Sequence, residues 1–219
     1  MPGAKARVRS AKGRPIGSTR WLERQLNDPY VHRARREGFR ARSVYKLQEI
    51  DREVGLLRKG MRLVDLGAAP GSWSQYAVKR GCSVVALDLA EVQPIGGVDI
   101  LRGDFLDPEA QRRIVERLGG PVDLVLSDMA ASSTGSRAVD RLRAEGLGEA
   151  VLDFAARVLA PGGSCLVKLV RGAEAPLQAL ARRSFRRVRL LRPPATRSES
   201  SEIFLLAEDF RGAARDGEG

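Results

Sequence analysis

MRLVDLGAAPGSWSQY, residues 61–76, places an apolar run, a turn of small residues and a segment of helical character one after another. Leu63, Val64 and Leu66 suit a parallel strand buried on both faces. Gly67, Ala68, Ala69, Pro70 and Gly71 then let a ligand approach the main chain where the next helix exposes its unpaired N–H groups. Asp88 closes the next apolar run, Ser83 to Leu87, about 20 residues further on, the spacing at which nucleotide-binding βαβ units set an acid against a ribose. Turn and acid together predict a cofactor pocket. Glycine-rich turns follow strands in any doubly wound sheet, so the turn alone would not carry that prediction.

The turn is not G-x-G-x-x-G. Ala69 and Pro70 fill its middle, and proline has no N–H to offer a pyrophosphate. A nicotinamide dehydrogenase is therefore disfavoured. A ligand with a nucleoside and no phosphates fits better, and S-adenosylmethionine is the common one.

Outward from this stretch, apolar runs alternate with amphipathic segments. Strands are predicted at Arg62 to Leu66, Ser83 to Leu87, Val98 to Leu101, Val122 to Ser127, Ser164 to Val170, Phe185 to Leu191 and Ile203 to Ala207. Asp107 and Pro108 form an N-cap with proline at the first helical position, and Leu147, Val151, Phe154 and Val158 mark a helix face stopped by Pro161, Gly162 and Gly163. Arg42 to Leu57 reads as a helix with Val44, Leu47, Ile50 and Val54 on one stripe. Lys46 lies beside that stripe, and locally it reads as a surface lysine pairing with Glu49 or Glu53. The alternation predicts an α/β fold: a single Rossmann-like domain with a seven-stranded, mostly parallel sheet, helices on both faces and a hairpin at one edge. The expected organisation is a disordered basic tail at 1–19, a basic extension packing on the core at 20–57, the sheet domain at 58–210 and a frayed tail at 211–219.

Of 219 residues, 38 are Lys or Arg and 27 are Asp or Glu, so an anionic partner is expected. The excess is concentrated: residues 1–46 hold 13 bases against 3 acids, and residues 47–219 hold 25 against 24. Trp21, Tyr30, His32 and Phe39 interleave with Arg20, Arg24, Arg33, Arg35, Arg36, Arg40 and Arg42, a mixture suited to stacking on bases and pairing with phosphates. A basic helix tucked onto the domain by its aromatics is the alternative reading, and both can hold at once. Arg182, Arg183, Arg186, Arg187, Arg189, Arg192 and Arg197 form a second basic run, either more nucleic-acid surface or a solvated helix-to-strand edge. Two isolated cysteines, Cys82 and Cys165, and the one histidine argue against a zinc site or a disulfide framework, and a reducing cytoplasm is expected. No apolar run predicts a signal peptide or membrane span. A monomer is expected, since no exposed apolar stripe calls for a partner.

Ligands sit at the carboxyl ends of strands in such sheets. Those ends carry Asp65 to Gly67, Asp88, Gly103 with Asp104, Asp128 and Lys168. Asp104 suits an adenine amino group. Lys168 interrupts the apolar run CLVKLV and needs a partner if buried; the alternative is an edge lysine reaching solvent. Cys165, three residues from Lys168, falls on the opposite face of a strand, which counts against a cysteine nucleophile for methylating a pyrimidine carbon. The Asn-Pro-Pro-aromatic turn suited to an exocyclic amine is missing after the fourth strand. A hydroxyl acceptor remains.

STRWL, DPYV, FRARSVYKL, VDLGAAPGSWSQY, ALDL, GVD, GDF, SDMA, AVD, VLAPGGS, VKL and RSESSEIF, in this order, resemble the FtsJ/RlmE family of S-adenosylmethionine-dependent RNA 2'-O-ribose methyltransferases, over about Ser18 to Ala207. The resemblance implies a class I methyltransferase fold and methylation of a uridine in large-subunit (23S) ribosomal RNA, on free RNA or on the subunit. It implies a Lys-Asp-Lys-Glu tetrad at Lys46, Asp128, Lys168 and Glu202, and cofactor contacts at Gly71, Trp73, Asp88 and Asp104, with Gly67 and Asp128 beside them. The family's Pro-Gly-Gly-Trp is Pro70-Gly71-Ser72-Trp73 here, and its Pro-Asn after SDMA is Ala131-Ser132, a change expected to loosen the loop beside the acceptor. Transfer RNA or another RNA as substrate, and a catalytically silent RNA-binding assembly factor, are the rival readings.

Overall fold

The computed structural model describes residues 26–212. The tail expected at 1–19, Arg20, Trp21 and Arg24 of the basic stretch, and residues 213–219 lie outside the described residues. The elements are α1 (Pro29–Arg36), α2 (Val44–Val54), β1 (Arg62–Leu66), α3 (Ser72–Lys79), β2 (Ser83–Asp88), β3 (Val98–Arg102), α4 (Pro108–Leu118), β4 (Val122–Ser127), α5 (Arg137–Val158), β5 (Leu159–Val170), α6 (Glu174–Ser184), β6 (Phe185–Leu191) and β7 (Glu202–Phe210). All seven expected strands form one sheet in the order β3-β2-β1-β4-β5-β7-β6. β1 to β5 pair in parallel, and β7 runs antiparallel between β5 and β6. The predicted hairpin is β6–β7, folded back so that its second strand is the inner one.

Alternating strand residues feed two core layers. Val64, Leu66, Val85, Val125, Val167 and Leu205 face one layer with α4, α5 and α6; Leu63, Val84, Leu124, Leu166, Phe204 and Leu206 face the other with α2 and α3. Burying both faces is what makes β1, β4 and β5 read as nearly unbroken apolar runs.

Two strands extend beyond their apolar runs by more than one residue. β5 begins at Leu159, because Val122 pairs with Leu159 while Leu124 pairs with Ser164, so residues 160–163 stand opposite the single Asp123. β7 continues through Glu208 and Asp209 to Phe210; the charges meet arginines of β6, while Phe210 returns to the core against Phe185. Charged residues end an apolar run without ending a strand whose neighbour supplies the counter-charge.

α1 starts at the Asp28-Pro29 step, with Asp28 accepting from the Tyr30 N–H at 3.0 Å and Pro29 in the first turn. Its aromatics favour the tucked reading. Tyr30 stacks on Tyr45 with centroids 5.3 Å apart, Phe39 is buried, and the two join Ala34, Val44 and Ala195 in a third apolar cluster. Arg33 lies over Tyr45, Arg42 over Tyr30 and Lys79 over Phe39. The second basic run is largely an ion-paired edge: Arg186, Arg187 and Arg189 meet Glu208 and Asp209. Among the described residues no helix is long and apolar enough to cross a membrane.

Candidate active site

Register brings the chemistry together. Ser127 pairs with Val167, so Asp128 and Lys168 are level at the carboxyl edge of β4 and β5. The Lys168 Nζ lies 3.0 Å from Asp128 Oδ1 and also donates to the Asp128 main-chain oxygen. Lys168 pairs with Phe204 and Val170 with Glu202 across the antiparallel β5–β7 ladder, so Lys168 and Glu202 are diagonal neighbours on one face. Their charges are 3.8 Å apart. β5 lies between β4 and β7, so Lys168 is not an edge lysine; its side chain is 11% exposed.

Lys46 arrives from above, on α2, which packs on that same face. It is buried, at 8% exposure, and its Nζ donates to both Glu202 carboxylate oxygens, at 3.0 and 2.9 Å. The local reading of Lys46 as a surface lysine paired with Glu49 or Glu53 is thereby corrected, since Glu49 instead accepts from the Tyr30 hydroxyl and the Ala195 N–H. Burial alone would push the Glu202 carboxyl up. The charge and hydrogen bonds of Lys46, the charge of Lys168 and the Ser200 hydroxyl outweigh burial and hold it below the usual glutamate range. Lys46, Asp128, Lys168 and Glu202 therefore form one connected, charged cluster.

A cavity of about 760 Å³ lies against this cluster, walled by Gly67, Asp88, Asp104 and Asp128 with the apolar Leu89, Phe105, Leu106, Met129 and Leu147. Gly67 has φ +76°, and a Cβ there would stand 2.8 Å from the Met129 nitrogen, so only glycine keeps this wall. Asp88 is aimed by the turn: its carboxylate accepts from the Ala69 N–H at 2.8 Å and the Ala90 N–H at 2.7 Å. Acids at three strand ends around an apolar cleft of this size fit a nucleoside-bearing cofactor.

Gly71 and Trp73 are not among the residues lining that cavity. Gly71, at φ +105°, packs where a Cβ would sit 2.6 Å from Ile95. The Trp73 ring is buried against Phe204, and its N–H donates to the Ser43 carbonyl at 2.9 Å, next to a 2.8 Å contact between the Ser43 and Ser72 hydroxyls. The indole is thus drawn into the layer between α2 and the sheet, where it pins the start of the helix that carries Lys46.

Several supporting residues had no local signal. Arg192 donates to the carbonyls of Arg197, Ser198, Ser200 and Glu202, holding the loop that delivers Glu202. Arg40 donates to the carbonyls of Pro70, Gln93 and Pro94, joining the β1 turn to the β2–β3 connection. Asp140 accepts from the Ser133 hydroxyl and from the Thr134 N–H and hydroxyl, which lower its carboxyl to about 2. The loop expected to loosen at Ala131-Ser132 is thus tied to α5. Cys165 is fully buried on the face away from Lys168, and burial pushes its thiol up to about 12.

Residues 39–210 match the family model described as FtsJ-like methyltransferase. The chain is 51% identical to a ribosomal RNA large subunit methyltransferase E of Xanthobacter autotrophicus, over 96% of this chain and 85% of that protein. It is 50% identical to the protein of the same name from Zymomonas mobilis subsp. mobilis, over 96% and 97% respectively. The crystal structure of a putative ribosomal RNA methyltransferase from Plasmodium falciparum aligns with a TM-score of 0.72 at 26% identity, over 80% of this chain and all of that one. A methyltransferase sheet with an acid-lined cavity at its carboxyl edge, and a family match across most of its length, together place the chain in the FtsJ-like methyltransferase family.

Proposed function

We propose that this methyltransferase moves the methyl group of S-adenosylmethionine to the 2'-hydroxyl of a uridine ribose in large-subunit ribosomal RNA. S-adenosylmethionine, when bound, supplies a methyl made electrophilic by its sulfonium. In the proposed site Asp88 holds the ribose hydroxyls, Asp104 the adenine amino group, and Gly67 leaves room for the ligand at the turn. What remains for the protein is alignment of the acceptor oxygen and help with its proton. Lys168 is the group in position for both tasks: as a cation it stabilises the developing alkoxide, and as an amine it accepts the proton. Asp128, 3.0 Å away, orients it. Lys46 and Glu202, joined at 2.9 Å, are assigned to placing the ribose and setting the charge around Lys168.

The observation that carries this reading is the placement of Asp128 and Lys168. Asp128 is in the wall of the cofactor cavity, while Lys168 is in the wall of a neighbouring one. An ion pair that spans two adjoining cavities suits transfer from a donor in one to an acceptor in the other. The ribosomal RNA substrate is drawn from the names of the relatives. Unmodified large subunits incubated with methyl-labelled S-adenosylmethionine, then digested to nucleosides, are expected to yield labelled 2'-O-methyluridine. Label on a base, or on transfer RNA in preference to the subunit, would overturn the assignment. Binding of S-adenosylmethionine by calorimetry without any transfer would instead favour a silent RNA-binding factor.

A further inference from the structure

The neighbouring cavity measures about 580 Å³ and shares Met129, Ala130, Ala131 and Leu147 with the first as a partition. Lys168 and Ser201 line it on the β5–β7 side. Arg171, just past β5 with its N–H donating to the Ser201 carbonyl at 2.8 Å, is on that side too, and Arg137 and Arg141 from the start of α5 complete the wall. These three arginines are exposed, and their charges are barely compensated. Arg141 reaches Glu145 only at 3.5 Å, and neither Arg137 nor Arg171 has an acid or a hydrogen-bond acceptor for its guanidinium among the described residues. The one acid in the wall, Asp140, spends its carboxylate on Ser133 and Thr134. The cavity thus concentrates positive charge beside the amine that the transfer reading assigns to the acceptor hydroxyl.

In RNA the 2'-oxygen and the 3'-phosphate are on adjacent ribose carbons. An acceptor whose 2'-hydroxyl meets Lys168 must therefore bring its 3'-phosphate into the same cavity. We propose that this cavity seats the acceptor nucleotide, and that Arg137, Arg141 and Arg171 grip the phosphates on the 3' side of the target ribose. A guanidinium offers a planar pair of donors to a phosphate, and an unpaired one gives up no existing ion pair to do so. The inference rests on the methyl-transfer reading and adds to it which residues select and hold the acceptor strand.

The test compares the full chain with its Arg137→Ala/Arg171→Ala double variant, using unmodified large-subunit ribosomal RNA as the probe. Filter binding across a salt series is expected to show RNA affinity lowered at least tenfold near physiological salt. The slope of log affinity against log salt should shrink by about 0.7 for each lost phosphate contact. Calorimetric affinity for S-adenosylmethionine and the thermal midpoint are expected to stay near those of the parent, and the double Lys variant should restore the slope. Unchanged RNA affinity and slope in the Ala variant would overturn the proposal, leaving three merely solvated arginines. Because the N-terminal bases are common to all variants, the slope difference isolates the cavity. A parent chain that methylates ribose while the slope is unaffected refutes this inference alone. A parent chain whose slope responds but which methylates no ribose refutes the transfer reading alone.

Discussion

Asp65 is fully buried on β1 and accepts a 2.6 Å hydrogen bond from the Ser74 hydroxyl on α3. Burial pushes its carboxyl up to about 7; the Ser74 bond opposes this, and the charges of Asp128 and Asp88 add to it. A raised carboxyl means that the folded chain binds the proton more tightly than the unfolded one. Its stabilising contribution is whole below the unfolded value near 4 and is lost as pH rises through about 7. Asp65→Asn is therefore expected to flatten the fall of the thermal midpoint between pH 4 and 7, its midpoint gaining on the parent's as pH rises; a constant gap across that range contradicts the assignment. Glu202 has the opposite sign. Its lowered carboxyl stabilises the fold above the ordinary glutamate value and loses that contribution as pH falls through the depressed one. Glu202→Gln leaves Lys46 buried with a neutral partner, and denaturant unfolding should register a loss of about 2 kcal/mol at pH 7. Local pattern shows Lys46 only as a polar residue beside an apolar stripe, because its partner is 156 residues away; it was singled out by the family resemblance alone.

At the scale of elements, the site depends on two joints that fix where α2 and β7 begin. Trp73 makes the first, through its N–H bond to Ser43 immediately before α2. Trp73→Phe keeps a ring against Phe204 and removes that bond; a stability loss of about 1 kcal/mol is expected, together with slower methyl transfer. The second is the loop ahead of β7, gathered by Arg192 around its four carbonyls. Arg192→Ala should slow single-turnover transfer at least tenfold while calorimetric affinity for S-adenosylmethionine holds, because Glu202 is displaced and the acid-lined cavity, which Arg192 does not line, is untouched. Arg192→Lys should rescue little, since one ammonium cannot reproduce the spread of a guanidinium. Strand ends were legible beforehand because an acid or lysine that closes or interrupts an apolar run is visible locally: Asp88, Asp128 and Lys168 all stand where that reasoning puts them. Trp73 and Arg192 were not legible in their actual roles, since an indole or a guanidinium at the end of an element gives no sign of which carbonyl it will meet.

For the molecule as a whole, the alternation of apolar runs with amphipathic segments was enough to anticipate the seven strands and the two helical layers. The β5–β7–β6 order came only from the structure, because a hairpin pattern does not say which of its strands pairs inward. Charge was legible in amount and less so in use. The arginines of β6 are engaged by Glu208 and Asp209, and Arg42 and Arg197 both meet Asp28, tying α1 to the loop ahead of β7. Among the described residues the guanidinium groups of Arg137 and Arg171 meet no acid, and both line the neighbouring cavity. The sheet thus sets an acid-lined cavity and a basic one on either side of a single ion pair, and methyl transfer is expected to turn on what Lys168 does there. The most direct test is the pH dependence of single-turnover methylation of large-subunit ribosomal RNA by the parent chain, Lys168→Ala and Lys168→Arg. Lys168→Ala is expected to lose at least about a hundredfold in rate across the pH range, with Lys168→Arg recovering only the part due to positive charge. Full activity and an unaltered profile in both variants would remove Lys168 from the chemistry.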